Sequence, residues 1–317
     1  MTVPLERRVR ALVGVLGRLD PEDRLEVPMA QRRAAAARLS RAGARFVMAP
    51  GPDPASVSHQ LVPVEGGRIL VRVHHPVGRG PHPLYVFLHG GGWCVGTLEE
   101  RDPRCRAISA GARCAVATVD YRMAPENQFP TAPEDCYSAL CWLVENASQL
   151  GIDSSRVAIG GESAGGNLAA VTCLMARDRD GPKICHQWLD VPATDATLSQ
   201  EGHRAVGDGY LLDHAAIIDY LDHYLPSAEL ACHPYVSPLL APDLSGLPPA
   251  WIMTAEFDQL RGDGEAYAAA LVAAGGEATH VRLAGHVHPS FAFTRLVPSA
   301  AAYERDAIAA LAAAFSR

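Results

Sequence analysis

The sequence predicts an α/β protein built on a mostly parallel central sheet with helices on both faces. Three observations carry this prediction. Residues 84–88, 115–119, 157–159 and 251–254 are short, nearly continuous apolar runs, the pattern of strands covered on both faces. Segments of helical character, 133–144, 165–176 and 264–274, lie among them. Alternation of strand and helix then calls for right-handed crossovers joining parallel strands.

The chain has 317 residues, 48% of them hydrophobic, enough for one domain spanning 1–317 with an added lid. The first fifty residues read as helix, because Val9, Leu12, Val13 and Leu16 recur at helical spacing and residues 31–39 are rich in Ala and Arg. The apolar run 11–16 is shorter than a secretory core and continues into Arg18, Asp20, Glu22 and Asp23. It reads as part of an amphipathic helix, and the expected location is cytoplasmic. Arg7, Arg8, Arg10, Arg32 and Arg33 are expected on solvated helix faces. Pro50, Gly51, Pro52 and Pro54 form a breaker cluster that marks a boundary. Residues 69–74 alternate like a half-buried strand, and 279–283 form another. From 197 to 232 no convincing strand appears; 211–224 reads as a helix closed by Pro226. Residues of about 1–50 and 197–232 are therefore expected to form a helical cap.

Composition excludes some functions. A net charge of −7 without clustered Lys and Arg argues against nucleic-acid partners. No apolar run approaches the ~20 residues of a spanning helix, so no stable membrane insertion is expected. The eight cysteines form no CxxC pair or zinc pattern. They read as free thiols buried as small hydrophobes. A homodimer stays open.

Gly161-Glu162-Ser163-Ala164-Gly165 follows one of the apolar runs and precedes a helix, the setting in which a serine at the tip of a sharp turn becomes a nucleophile. The residues two before and two after the serine crowd each other, so both lack a side chain. Ala164 then lies at a helix N-terminus, where its N–H faces an approaching negative charge. His89-Gly90-Gly91-Gly92-Trp93 directly follows another run. Consecutive glycines are unfavourable in entropy unless backbone N–H groups must approach a ligand; here they would hold an oxyanion. A phosphate-binding loop would need a following Lys-Ser/Thr, which is absent.

A serine nucleophile needs a base and a group that orients it. Asp258 lies just beyond the run at 251–254, with Glu256 and Asp263 as rivals; Asp263 reads as a cap of the next helix. His286 and His288 compete for the base. A metal site on this pair lacks a third local ligand. The chain order Ser163, Asp258, His288 is that of α/β-hydrolases.

Together, His89 to Trp93, Asp120-Tyr121-Arg122-Met123-Ala124-Pro125-Glu126, Gly161 to Gly166, Ser237-Pro238-Leu239-Leu240 and Glu256-Phe257-Asp258-Gln259-Leu260-Arg261 make the chain resemble the hormone-sensitive-lipase-like (bacterial family IV) esterases, from about residue 84 to the C-terminus. The resemblance implies the α/β-hydrolase fold with a cap over an acyl pocket. It implies a Ser163, Asp258, His288 triad, with His288 favoured because the base lies in a Gly-x-x-His segment. It also implies an oxyanion hole from Gly91, Gly92 and Ala164, with His89 and the 120–126 motif supporting the loops. Three residues depart from the family pattern: Glu162 where Asp is usual, Pro289 where Gly is usual, and Gln259 where Pro is frequent.

The expected activity is serine carboxylesterase action on short- to medium-chain esters through an acyl-enzyme, with no metal or organic cofactor required. Trp93 is a candidate acyl-side wall, with an ordinary core role as the alternative. Lactonase, amidase and acyltransferase activities are alternatives, as is a non-catalytic small-molecule binder like the related plant gibberellin receptors. Cys94, two residues past Gly92, is expected to make the enzyme sensitive to bulky thiol reagents.

Overall fold

Eight strands form a single sheet in the order β1-β2-β4-β3-β5-β6-β7-β8. The computed structural model describes residues 4–19, 25–200, 203 and 206–317. Parts of the expected cap at 1–50 and 197–232, including Asp20, Glu22 and Asp23, lie outside the described residues. The strands are β1 Ser56–Val64, β2 Gly67–His75, β3 His82–Leu88, β4 Ala115–Asp120, β5 Ile152–Glu162, β6 His186–Asp190, β7 Ala250–Phe257 and β8 Ala278–Val287. β1 and β2 pair antiparallel, as do β2 and β4; every later neighbour is parallel.

The central strands owe their place to composition. In β3, Pro83 to Leu88 are all buried, and β4 is buried from Ala115 to Val119. β1, by contrast, is an exposed edge carrying Pro63, which removes a ladder donor where none is needed. β1 and β6 are not among the predicted strands. β1 is too solvated to give a clear alternation, and β6 is five residues long with His186, Gln187 and Asp190 all buried.

The helices among the described residues are α1 Arg7–Leu19, α2 Met29–Val47, α3 Asp102–Ala112, α4 Thr131–Glu145, α5 Ala164–Asp178, α6 His214–Tyr224, α7 Arg261–Ala273 and α8 Pro298–Ala314. α5 is buried from Ala164 to Ala176, which is why its pattern is almost continuously apolar. One face of the sheet packs with α4, α5 and α7 around Leu84, Ile159 and Leu168, and the other with α3 and α8 around Tyr85, Trp188 and Ile108.

α6 begins at Asp213, whose side chain accepts the Ala216 amide, and ends just before Pro226. α2 is not held by apolar packing alone. Arg32 donates to both carboxylate oxygens of Asp219 on α6, at 2.7 and 3.1 Å. Arg33 donates to the Cys94 and Ala124 carbonyls and to Glu126. The expectation that these two arginines sit on solvated faces is therefore corrected. Backbone carbonyls and a carboxylate exposed by the turns around Cys94 and Ala124 need donors, and α2 supplies them.

Candidate active site

β5 ends at Glu162 and α5 starts at Ala164, so Ser163 occupies the corner between them. It adopts φ 56° and ψ −120°, a conformation that strains any residue with a Cβ. The corner closes only because its flanks are bare. A Cβ on Gly161 would lie 2.4 Å from the Gly165 carbonyl oxygen, and one on Gly165 would lie 2.1 Å from that of Leu88. The Ser163 amide donates to the Asp190 carbonyl at 2.8 Å, which ties the corner to β6. Ala164, as the first residue of α5, has an amide with no partner inside the helix.

The glycine loop after β3 turns over this corner. Gly91 and Gly92 have φ of 117° and 56°. The Gly91 carbonyl accepts the Cys94 and Val95 amides, both at 3.0 Å. A Cβ on Gly92 would lie 2.2 Å from the ring of Tyr220 on α6. His89 does not face the serine. Its ring stacks on Tyr121 at 4.3 Å and its Nδ1 lies 2.8 Å from the Gly90 carbonyl, while Tyr121 donates its hydroxyl to the His89 carbonyl. The Ala124 amide donates to the Trp93 carbonyl. The 120–126 motif thus holds the loop through Tyr121 and Ala124, the role the family resemblance implies for it.

The remaining groups come from paired strands. Phe257 and Val287 are in register between β7 and β8, so Asp258 and His288, one residue beyond each, meet. His288 Nδ1 lies 2.8 Å from Asp258 Oδ2. Asp258 is buried, and its other oxygen accepts the Leu260 amide at 3.0 Å. Ser163, His288, Gly90, Gly91, Gly92 and Ala164 all line one cavity. Its walls are largely apolar, with Leu198, Leu211, Leu212, Ile217, Tyr220 and Leu221 among the lining residues. Glu100, Arg101 and Glu162 add a charged stretch.

The rivals fall elsewhere. Glu256 sits near Arg261 and Arg282, at 3.6 and 3.9 Å. Asp263 is not a helix cap. It lies inside the first turn of α7 and accepts the Thr194 and Asp195 amides at 2.9 and 3.0 Å, with His203 Nε2 at 2.9 Å. Burial holds its carboxyl above the usual range while those donors oppose the shift. His286 is fully buried between Ser290 and Ser299, and burial pushes it below the usual imidazole range, against the pull of Glu6.

Trp93 lines the cavity and also belongs to the core. Its ring stacks on Tyr224 at 4.5 Å and its Nε1 donates to Asn167 Oδ1 at 3.3 Å. Cys94 does not line the cavity; it is fully buried, and burial pushes its thiol up to about 12. The expected sensitivity to thiol reagents at this residue is therefore withdrawn, since a protonated, sealed thiol is inert. Glu162, the departure before Ser163, pairs with Arg101 at 2.6 Å and with Arg104 at 3.5 Å. Arg104 also pairs with Asp190, whose other oxygen accepts from Trp188 and Tyr303. Burial pulls the Arg104 guanidinium down, but Asp190, Glu162 and Glu304 outweigh it and hold it above its ordinary range.

Two residues of the site escaped the sequence reading: Tyr220, which lines the cavity, and Asn167, which accepts from Trp93. Only Tyr220 left a signal, because it shares a face of α6 with Ile217, Leu221 and Tyr224 at helical spacing.

Residues 85–292 match the α/β-hydrolase fold family. A carboxylesterase of Mycobacterium tuberculosis, NlhH, is 44% identical over 77% of this chain and 77% of its own length. A carboxylic ester hydrolase of the same organism, LipN, is 42% identical over 88% of this chain and 76% of its own. Among solved structures, an ester hydrolase from the metagenome of Lake Arreo, complexed with a bipyridine phosphonate derivative, superposes with a TM-score of 0.92 at 34% identity, covering 99% of this chain and 100% of that one. A hyperthermophilic esterase from Pyrobaculum calidifontis gives 0.91 at 34% identity, with 98% of both chains covered. The chain belongs to the α/β-hydrolase family, and within it to the hormone-sensitive-lipase-like group.

Proposed function

We propose that the protein hydrolyses carboxylic esters of short to medium acyl chain by two-step acyl transfer at Ser163. The observation that carries this reading is the convergence of the strained Ser163 corner, the His288–Asp258 pair and the glycine loop on one cavity. His288 takes the proton of Ser163 as Oγ attacks the carbonyl; Asp258 holds the imidazole by Nδ1 and stabilises the imidazolium. The amides of Gly91, Gly92 and Ala164 stabilise the tetrahedral oxyanion. The alcohol leaves with the proton from His288, and water then repeats the cycle on the acyl-enzyme.

The cap belongs to the same proposal. α2 and α6 are joined by Arg32 and Asp219, and α6 presents Ile217, Tyr220 and Leu221 to the cavity, which supports an apolar acyl site with Trp93 in its wall. A cytoplasmic location is supported by eight cysteines that are all unpaired. No helix among the described residues is long and apolar enough to cross a membrane.

The test combines labelling with turnover. A fluorophosphonate should label the wild type and not Ser163→Ala, and p-nitrophenyl esters should be hydrolysed with a preference for short to medium chains. Preferential turnover of lactones or amides, or transfer to an added alcohol in place of water, would replace ester hydrolysis with that activity. No labelling and no turnover would remove the catalytic reading.

A further inference from the structure

His288 sits between Val287, the last residue of β8, and a short 3-10 turn over Ser290–Ala292. One hydroxyl brackets it. Ser290 Oγ donates to the Val287 carbonyl at 2.8 Å and accepts the Val287 amide at 3.0 Å. The same oxygen lies 2.8 Å from His286 Nδ1. On the other side of that ring, Nε2 lies 2.9 Å from Ser299 Oγ at the start of α8. Ser299 donates to the carboxylate of Glu6, which itself lies 3.5 Å from His286 Nε2. The backbone repeats the connection: the Glu6 amide donates to the Gly285 carbonyl at 3.0 Å. Gly285 has φ 74°, and a Cβ there would lie 2.8 Å from the Glu6 nitrogen and 3.0 Å from the Pro4 oxygen. The bare backbone of Gly285 is what lets the segment ahead of α1 lie against β8.

We infer that Glu6, Ser299, His286 and Ser290 form a polar strut that positions the catalytic-histidine loop from behind, so that the segment preceding α1 governs proton transfer at Ser163 without touching substrate. The inference rests on His288 being the base. His286 and Ser290 are positioning residues in this arrangement. Nothing in the strut faces the acyl site: among His286, Ser290, Ser299 and Glu6, none lines the cavity. A disturbed strut therefore lowers kcat and leaves KM nearly unchanged. Proton transfer falls steeply with misplacement, by about 100-fold for a shift of ~1 Å.

The experiment measures kcat, KM, the rate of fluorophosphonate labelling of Ser163 and thermal stability for four variants of the full chain. An asparagine amide nitrogen occupies the place of an imidazole Nδ1, and a glutamine nitrogen that of Nε2. His286→Asn keeps a hydrogen-bonding amide against Ser290 but gives up the link to Ser299 and Glu6, and should fall about three- to tenfold in kcat, like Glu6→Ala. His286→Gln loses the group against Ser290 and should fall about 10- to 100-fold in kcat and in labelling rate, with KM within about twofold. Ser290→Ala should match His286→Gln. Glu6→Ala, at a partly exposed position that tolerates change, should lower kcat by about three- to tenfold. Equal behaviour of the Asn and Gln variants, or an unchanged kcat in Glu6→Ala, would overturn the strut; so would losses that follow stability alone. If Ser290→Ala fails to fold, the Asn/Gln pair and Glu6→Ala decide. A wild type that neither labels nor turns over ester ends the esterase reading and this inference together. An active wild type with indifferent variants ends only the strut.

Discussion

Two buried aspartates near the carboxyl end of β7 each hold a histidine, and only one of these pairs faces the Ser163 cavity through its imidazole. Asp258 meets His288 at 2.8 Å, and Asp263 meets His203 at 2.9 Å. Both carboxylates are almost fully buried. The His203 side chain is completely sealed, whereas that of His288 keeps 13% of its surface and lines the cavity with Ser163. Asp263 spends its second oxygen on the Thr194 and Asp195 amides, and so fastens α7 to the loop after β6. An Asp–His hydrogen bond alone is thus no mark of catalysis. What separates the pairs is exposure and place: the His203 side chain is sealed and does not line the Ser163 cavity, whereas His288 lines that cavity together with the strained serine.

The largest effect that could break this contrast is at the serine itself. Ser163→Ala should lower kcat for p-nitrophenyl esters by about 10⁵- to 10⁶-fold; retained turnover would mean the cavity uses another nucleophile. Asp258→Asn should follow, with a loss of about 10⁴ in kcat, because the amide presents the wrong partner to Nδ1. Gly92→Ala should lower kcat by about 10²- to 10³-fold, the size expected for loss of one oxyanion donor. Its Cβ would collide with the Tyr220 ring at 2.2 Å, at φ 56°. Steady-state kinetics at saturating ester, with far-ultraviolet circular dichroism as a folding control, would read it.

Asp263→Ala sharpens the contrast from the other side. It strands two buried amides and a histidine, so it should lower stability by roughly 3 kcal/mol in urea unfolding. The folded fraction should keep kcat within about tenfold of wild type, a loss far below that expected of Ser163→Ala or Asp258→Asn. A loss like that of Asp258→Asn would show that the two pairs are not functionally distinct. The smallest effect belongs to Cys94. Treatment of the native enzyme with a bulky maleimide should leave that thiol unmodified in a peptide map, because it is buried and its thiol is pushed up to about 12.

Much of this architecture was legible beforehand, and the reason differs by element. β3, β4 and the core of β5 announce themselves because strands buried on both faces must be apolar throughout. β6 does not, because it is short and buries the polar His186, Gln187 and Asp190, and the partners of Gln187 and Asp190 are ones that no local pattern reveals. Gln187, for example, donates to the Pro248 carbonyl, 61 residues away. Arg32 and Arg33 look like surface charge in the sequence, yet their acceptors lie on α6 and around the glycine loop.

The sequence by itself determined the Ser163 corner and the glycine loop. Both are short-range steric problems whose solutions, paired glycines and consecutive glycines, are written locally. On residues alone His286 and His288 competed, with His288 favoured only through the family resemblance, and Asp263 held a cap's position. The tertiary structure is what brings His288 to Asp258 and seals His286 between Ser290 and Ser299, because that depends on which way β8 turns its side chains at its end and on what β7 places beside it. A buried polar group must find its partner across the fold, and such partners are chosen by packing over distances that local pattern cannot reach.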